Sequence, residues 1–362
     1  MTGALELARR GEGHVEPNPM VGCVIVLDGQ IVGQGWHRRY GGPHAEIEAL
    51  SEAGRAARGA TLYVTLEPCS HYGKTPPCVD AIHSAGLRRV VVAQRDPNPK
   101  VSGGGILRLR AEGIQVEEGL LEVETRRLNA SYLKLVLTGL PWLIAKWAMT
   151  LDGKIATRGG DSKWISCQRS REIVHCLRGR VDAILIGLGT ASADDPLLTA
   201  RPGGARTATR VVLDTTASLS LNSQLVRTAK QIPLLVAAGN EAPAENRRAL
   251  SALGCEVYVC QGQTRTERFG ELLLELGRRQ MTNGLVEGGG ELLGTALEAE
   301  AIDEVHAFIA PKLIGGAAAK SPVEGAGIQQ IIDAVTLDTL SVEQLDGDVY
   351  IHGRVERRDL LE

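Results

Sequence analysis

The sequence predicts an α/β protein of two domains, each a largely parallel sheet with helices on its faces. Three observations carry this. Short Val-, Ile- and Leu-rich runs alternate with helical stretches along the chain, and strands that alternate with helices pair in parallel. One strong stop, Thr138-Gly139-Leu140-Pro141, interrupts the alternation and divides residues 1–140 from 141–362. The 362 residues, 43% hydrophobic and 23% charged, suffice for two buried cores.

Taken in order, MVGCVIVLDGQIVGQGWH reads as a hairpin that turns at Asp28-Gly29 and supplies an antiparallel edge. HAEIEALSEAG reads as a short helix stopped by Gly54, ATLYVTLEP as a strand, and PPCVDAIHSAG as a helix with proline at its start. RRVVVAQRDP gives another strand. A helix around Ile106–Ala111 and a strand near Gln115–Glu117 follow, then one packing helix over Glu122–Leu137. Past the stop, strands are expected in WLIAKWAMTLDGKIA, VDAILIGLGT, TRVVLDTT, IPLLVAAG, CEVYVC, GLVEGGGELLGTAL and EVHAFIAPKLIGG. A closing hairpin turns at Asp346-Gly347.

Composition excludes several classes of function. No apolar run approaches the roughly 20 residues that span a bilayer. The start, MTGALELARRGEG, lacks the apolar core of a signal peptide. A net charge of −3 argues against a nucleic-acid partner. Seven cysteines without a secretory signal read as reduced thiols in the cytoplasm. Cys23, Cys167, Cys176, Cys255 and Cys260 are expected to be small buried hydrophobes.

Cys69 and Cys78 differ, because glycine, prolines and a histidine surround them in LEPCSHYGKTPPC. A catalytic zinc takes three N or S ligands and leaves the fourth position to water. His44, Cys69 and Cys78 supply such a set, and the cysteine that opens a helix favours the thiolate zinc requires. Glu46, two residues after His44, is placed to shuttle protons rather than to ligate. The order H-x-E…P-C…C is the signature of zinc nucleobase deaminases. In that chemistry zinc lowers the pKa of its water toward roughly 7, and the glutamate carries protons to the ring and the departing ammonia. Alternatives are a structural zinc closed by His71 or Cys23, or unrelated core residues; neither gives Glu46 a use. The wide gap between the cysteines holds His71 and Lys74, polar groups suited to a phosphorylated substrate. Asn18, between two prolines in EPNPMVG, can present its amide to a heterocycle.

VEPNPMVGCVIV, GWHRRYGGPHAE, TLEPCSHYGKTPPC and RDPNP together resemble the RibD family of bifunctional riboflavin-biosynthesis enzymes, over nearly the whole chain. The resemblance implies a cytidine-deaminase-like three-layer domain followed by a dihydrofolate-reductase-like domain. It implies one zinc per deaminase domain, NADPH in the second domain, and a homo-oligomer, dimer or tetramer. Its substrate is a phosphorylated pyrimidine, first deaminated and then reduced at its ribosyl group. Asn18, His37, Lys74 and Asn98 are then contacts to the pyrimidine or the ribose phosphate.

In the second domain the residues alone say less: GLVEGGGELLG is either a phosphate cradle before a helix or a tight turn without a ligand. The resemblance extends through AKWAMTLDGKIA, GDSKWIS, TASADDPLLTAR and VEGGGELLG. It implies Ala148, Trp164, Thr190, Asp194, Thr215 and the run Gly289, Gly290, Glu291, Leu292, Leu293, Gly294 and Thr295 as cofactor contacts. Ser162, Arg178, Leu198, Arg201 and Glu287 become substrate contacts, with the two arginines as phosphate partners. Lys146, on the domain's first strand, joins the reducing step. Two rivals are a nucleic-acid base deaminase, which would need a basic groove, and a non-catalytic nucleotide-binding module with a closed zinc site.

Overall fold

The computed structural model describes residues 1–71, 76–98 and 102–356. The chain forms two compact units, Met1–Gly139 and a second that begins at Leu140.

In the first unit α1 (Thr2–Arg9) precedes the hairpin of β1 (Gly22–Leu27) and β2 (Gln30–Trp36). Asp28 and Gly29 at its turn have φ of 49° and 79°, the left-handed geometry a tight two-residue turn demands. Then come α2 (Ala45–Ala53), a 3-10 turn at Gly54–Ala57, β3 (Thr61–Leu66), α3 (Cys78–Ser84), β4 (Arg89–Gln94), α4 (Gly104–Ala111) and β5 (Gln115–Glu118). The sheet order is β2-β1-β3-β4-β5, with β3, β4 and β5 parallel.

Two glycines of β2 set how close α2 comes. A Cβ on Gly33 would lie 2.3 Å from the Ala49 carbonyl oxygen, and one on Gly35 would lie 2.3 Å from that of Ala45. The helix meets them with Ala45, Ala49 and Ala53, all buried. Its backbone therefore rests on the strand, and its first turn, which carries Glu46, is fixed in place.

The single helix expected over Glu122–Leu137 is two, α5 (Glu122–Leu128) and α6 (Ala130–Thr138), divided at Asn129. Asn129 is 1% exposed, and its amide pairs with the Met20 backbone, accepting from N–H at 2.8 Å and donating to C=O at 3.0 Å. The break is the cost of anchoring the loop ahead of β1, which holds Asn18.

The second unit runs β6 (Trp142–Thr150), α7 (Gln168–Arg178), β7 (Ala183–Gly187), α8 (Leu188–Asp194), β8 (Thr209–Leu213), α9 (Gln224–Arg227), β9 (Leu234–Gly239), α10 (Ala244–Ala252), β10 (Glu256–Cys260), α11 (Arg265–Arg278), β11 (Asn283–Val286), α12 (Gly290–Glu298), β12 (Ile302–Ala310), β13 (Leu337–Leu345) and β14 (Asp348–Val355). Its sheet order is β10-β9-β8-β7-β11-β6-β12-β14-β13. The strands from β10 to β12 are parallel, so their C-terminal ends share one edge, where open α/β sheets bind ligands. The hairpin of β13 and β14 adds the antiparallel end. The core packs Leu143, Leu185, Val211 and Leu235 against Phe269, Leu272 and Leu276 of α11 and Leu293 and Ala296 of α12.

Cys23, Cys255 and Cys260 are buried, but Cys176 is exposed on α7 and Cys167 is only half-buried. The expectation of buried thiols fails there for a local reason. Cys167 is the N-cap of α7, its sulfur accepting from the Ser170 N–H, and Cys176 falls on the helix's outer face. Among the described residues no helix is long and apolar enough to cross a membrane.

Candidate functional site

His44 is the N-cap of α2 and Glu46 stands in its first turn; Cys69 follows β3; Cys78 is the first residue of α3. The fold brings the three candidate ligands together. His44 Nδ1 lies 3.2 Å from Cys78 Sγ and 3.6 Å from Cys69 Sγ, and all the ligand atoms are within 4.8 Å of one another. Zn–S of about 2.3 Å and Zn–N of about 2.1 Å set tetrahedral ligand atoms about 3.6 Å apart, close to this spacing. Donor types and geometry therefore both fit zinc. Among the described residues the cluster has three members. Cys23 and His71, weighed as a fourth ligand, stand outside it: Cys23 is buried in β1, and His71 is exposed.

The Cys78 thiol hydrogen-bonds the Cys69 sulfur and pulls the Cys69 pKa down against burial, helped by His44 and by the Cys78 N–H at 3.3 Å. Cys78 shifts upward in turn, through that hydrogen bond and then burial. One thiolate thus stands ready for a cation, and His44 is pushed up by its bond to Cys69. Glu46 is 3% exposed, and burial raises its pKa. The neighbouring Cys78 thiol opposes that rise, which sets this buried carboxyl beside the ligand set.

Two further expected residues border the cluster. The His37 ring meets the His44 ring edge-on at 5.5 Å. Its Nδ1–H donates to the Pro43 carbonyl at 2.9 Å, so Nε2 accepts from the Asn18 amide at 3.1 Å. Burial lowers the His37 pKa, which keeps the ring neutral and that arrangement intact. Asn98 stands on the loop after β4; its N–H donates to Asp96, whose carboxylate also takes the Tyr132 hydroxyl at 2.9 Å. Lys74 lies outside the described residues.

One organising residue shows in the sequence only as part of the Glu-Pro-Cys lead-in to Cys69. Glu67, two residues before Cys69, is 4% exposed. Its carboxylate accepts from the backbone N–H groups of Asp96, Gly103, Gly105 and Ile106, at 2.9 to 3.3 Å. It ties the Cys69 segment to the Asn98 loop and to the start of α4.

In the second unit a cavity of about 360 Å³ opens at the C-terminal edge of the sheet. Of the expected cofactor contacts, Thr190, Thr215, Gly289, Gly290, Glu291, Leu292 and Thr295 line it. Thr190 also takes the Gly289 N–H at 3.0 Å. Leu293 and Gly294 do not line it. They sit on the buried face of α12, Leu293 in the core and Gly294 so close to the Glu324 carbonyl that a Cβ would come within 1.9 Å. Ala148, Trp164 and Asp194 lie elsewhere: Ala148 packs near Phe308, Trp164 is exposed under the Arg171 guanidinium, and Asp194 accepts from the Ser162 hydroxyl at 3.1 Å.

Arg178 and Lys146 both meet Glu287. Arg178 grips its carboxylate with Nε at 2.6 Å and Nη2 at 2.8 Å, and Lys146 Nζ lies 3.8 Å away. Burial alone would raise the Glu287 pKa, but Arg178 and Lys146 bring it below the usual value. Burial lowers Lys146. Arg178 was expected to bind phosphate, yet a carboxylate occupies its fork, and its Nη1 reaches the Thr199 carbonyl at 3.4 Å. That contact holds the segment from Leu198, buried with φ of 54°, to Arg201, which is exposed.

The cluster matches a family model for the cytidine and deoxycytidylate deaminase zinc-binding region over residues 1–94, and the RibD C-terminal domain matches residues 141–351. The RibD of Actinobacillus pleuropneumoniae is 42% identical, covering 97% of this chain and 93% of its own length. The chain belongs to the RibD family. The RibD of Escherichia coli is 38% identical over 97% of both chains. Two solved structures cover 98% of this chain: Acinetobacter baumannii RibD, at a TM-score of 0.86 with 37% identity over 98% of its length, and a deaminase/reductase from Thermotoga maritima, at 0.85 with 36% identity over 97%. RibD membership makes the protein a bifunctional one, a zinc-binding deaminase domain followed by a reductase domain.

Proposed function

We propose that the first unit deaminates 2,5-diamino-6-(5-phosphoribosylamino)pyrimidin-4(3H)-one, and that the second uses NADPH to reduce the ribosyl group of the resulting aminouracil ribotide to a ribitylamino group. One observation carries the reading. A His-Cys-Cys cluster lies beside a buried glutamate, in a chain whose Thermotoga maritima relative is a diaminohydroxyphosphoribosylaminopyrimidine deaminase and 5-amino-6-(5-phosphoribosylamino)uracil reductase.

Zinc held by His44, Cys69 and Cys78 would supply a water acidic enough to attack at neutral pH. Glu46 takes a proton from that water, gives it to the ring nitrogen, and assists the amine as ammonia leaves; the amino group and water become carbonyl and ammonia. A carboxyl whose pKa burial has raised suits a group that must both hold and release a proton. Neutral His37 and the Asn18 amide it fixes orient the pyrimidine, and Asn98 meets the ribose phosphate.

In the second unit the dinucleotide supplies the hydride. The turn Gly289–Glu291 at the start of α12, with Thr190 and Thr215, holds it. Lys146 would provide the proton that balances a hydride delivered to C1′ of the ring-opened ribosylamino group. Glu287, gripped by Arg178, positions Lys146, and exposed Arg201 takes the substrate phosphate.

The test is to supply the diaminopyrimidine ribotide with and without NADPH and identify the products. Without NADPH, ammonia and the aminouracil ribotide should appear; with it, the ribitylamino product. NADPH consumption before any ammonia release would overturn the proposed order.

A further inference from the structure

The cavity of the second unit continues past the Gly289–Glu291 turn. It passes the ends of β7 and β8 and reaches Ala237 on β9, Cys260 on β10, and Arg265 and Arg268 in α11. A dinucleotide with its pyrophosphate at the start of α12 and its nicotinamide toward Lys146 on β6 would extend its adenosine half along this wall.

That wall offers little to a ribose hydroxyl. Asp214, just after β8, is the carboxylate on this stretch of the wall. Its carboxylate is already engaged: Oδ1 accepts from the Thr216 N–H at 3.3 Å, the Thr216 hydroxyl at 3.2 Å and the Ser218 hydroxyl at 3.4 Å, and Oδ2 accepts from the Leu219 N–H at 2.7 Å. The N-terminus of α11 is closed as well, by a capping box of Thr264 and Glu267.

Two guanidinium groups remain. Arg268 is anchored, its Nη1 donating to the carbonyls of Gly262 and Gln263 at 3.0 and 2.8 Å. Arg265 bridges the cavity walls to Glu291 on α12, with Nη1 to Oε2 at 2.8 Å and the two side chains 66% and 70% exposed. Such an exposed pair is weak and exchanges readily. Lys320 and Glu324 also line the cavity, but beside α12, where the Glu324 N–H donates to the Gly290 carbonyl at 3.0 Å.

We infer that Arg265, backed by Arg268, is the subsite for the 2′-phosphate of NADPH, and that this phosphate takes the place of Glu291 on Arg265. The inference rests on the cavity being the dinucleotide site proposed above. A dianionic phosphate presents three strong acceptors to a fork made for planar bidentate binding, and outcompetes one mobile carboxylate.

The experiment measures Kd for NADPH and for NADH by fluorescence titration without pyrimidine, each Kd expected to move with the corresponding KM, and compares the two as reductants of the deaminated ribotide, in the wild-type, Arg265→Ala, Arg265→Lys and Glu291→Gln proteins. Arg265→Ala should raise KM for NADPH about tenfold, the loss of one charge-assisted contact, and flatten its salt dependence. KM for NADH and kcat at saturating NADPH should stay within about twofold. Arg265→Lys should recover part of the loss, and Glu291→Gln should lower KM for NADPH. Arg265→Ala acting equally on both dinucleotides, or on neither, overturns the inference alone. A wild-type protein that oxidises neither dinucleotide overturns the cofactor reading, and the inference with it.

Discussion

The two candidate sites differ in how their parts are distributed along the chain. The candidate ligands and the proposed proton carrier Glu46 all lie between His44 and Cys78, at the starts of two helices and just after one strand. The proposed reducing site gathers Lys146 from β6, Arg178 from α7 and Glu287 after β11, and the proposed dinucleotide cavity draws on β7, β8, β9, β10 and the turn into α12. A metal imposes ligand types and spacing on a short sequence. A dinucleotide asks mainly for backbone N–H groups and a sheet edge, which many sequences supply. The first site is therefore written in a motif, while the second is written in the topology.

The largest expected effect probes the compact site. Glu46→Gln should lower kcat for deamination by about 10³-fold, the scale of a lost general acid–base. Bound zinc, measured by metal analysis, and reduction of the deaminated ribotide should both be unchanged. Loss of the metal would instead make Glu46 part of the binding shell.

Glu287→Gln probes the dispersed site. It leaves Arg178 buried without its anion, and breaking such a pair costs about 3 kcal/mol or more. Thermal unfolding should show the second unit destabilised and its reductase activity lost, with ammonia release intact. An unchanged melting profile would show that the pair contributes little.

Glu67→Gln keeps one acceptor oxygen where two now serve four N–H groups. The first unit should lose about 2 kcal/mol, measured by denaturant unfolding. Retained stability would mean that the α4 loop has another anchor.

The smallest effect is on pH. Burial would raise the Glu304 carboxyl, but the His306 hydrogen bond and charge outweigh it and bring the pKa down to about 2, from the usual 4.5. A depressed carboxyl stabilises the fold fully above its unfolded pKa and loses that contribution as pH falls through its folded one. Between pH 5 and 3 the second unit should lose about 1 kcal/mol of stability that Glu304→Gln does not lose.

The sequence made most elements legible because their signals are local. Asp28-Gly29 and Asp346-Gly347 adopt the positive φ that their hairpins need, and Pro77 caps the helix that begins at Cys78. It missed what depends on distant partners. Asn129 divides a helix for the sake of Met20, 109 positions away, and nothing local marks it. Glu67 reads as an unremarkable lead-in to Cys69 until the backbone of α4 arrives beside it. Arg178 looks like a phosphate binder until Glu287, also 109 positions on, fills its fork. Leu293 and Gly294 belong to a run that reads as one ligand-binding segment, but helical periodicity turns them toward the core while Glu291 and Leu292 line the cavity.

The central claim is that one chain holds two separable chemistries, one dependent on the His44-Cys69-Cys78 cluster and one independent of it. The most direct measurement strips the metal from the intact chain with a chelator and assays ammonia release from the diaminopyrimidine ribotide alongside NADPH oxidation with the deaminated ribotide. We predict that ammonia release disappears and returns with added zinc, while NADPH oxidation proceeds throughout. Loss of both activities, or of neither, would contradict the account.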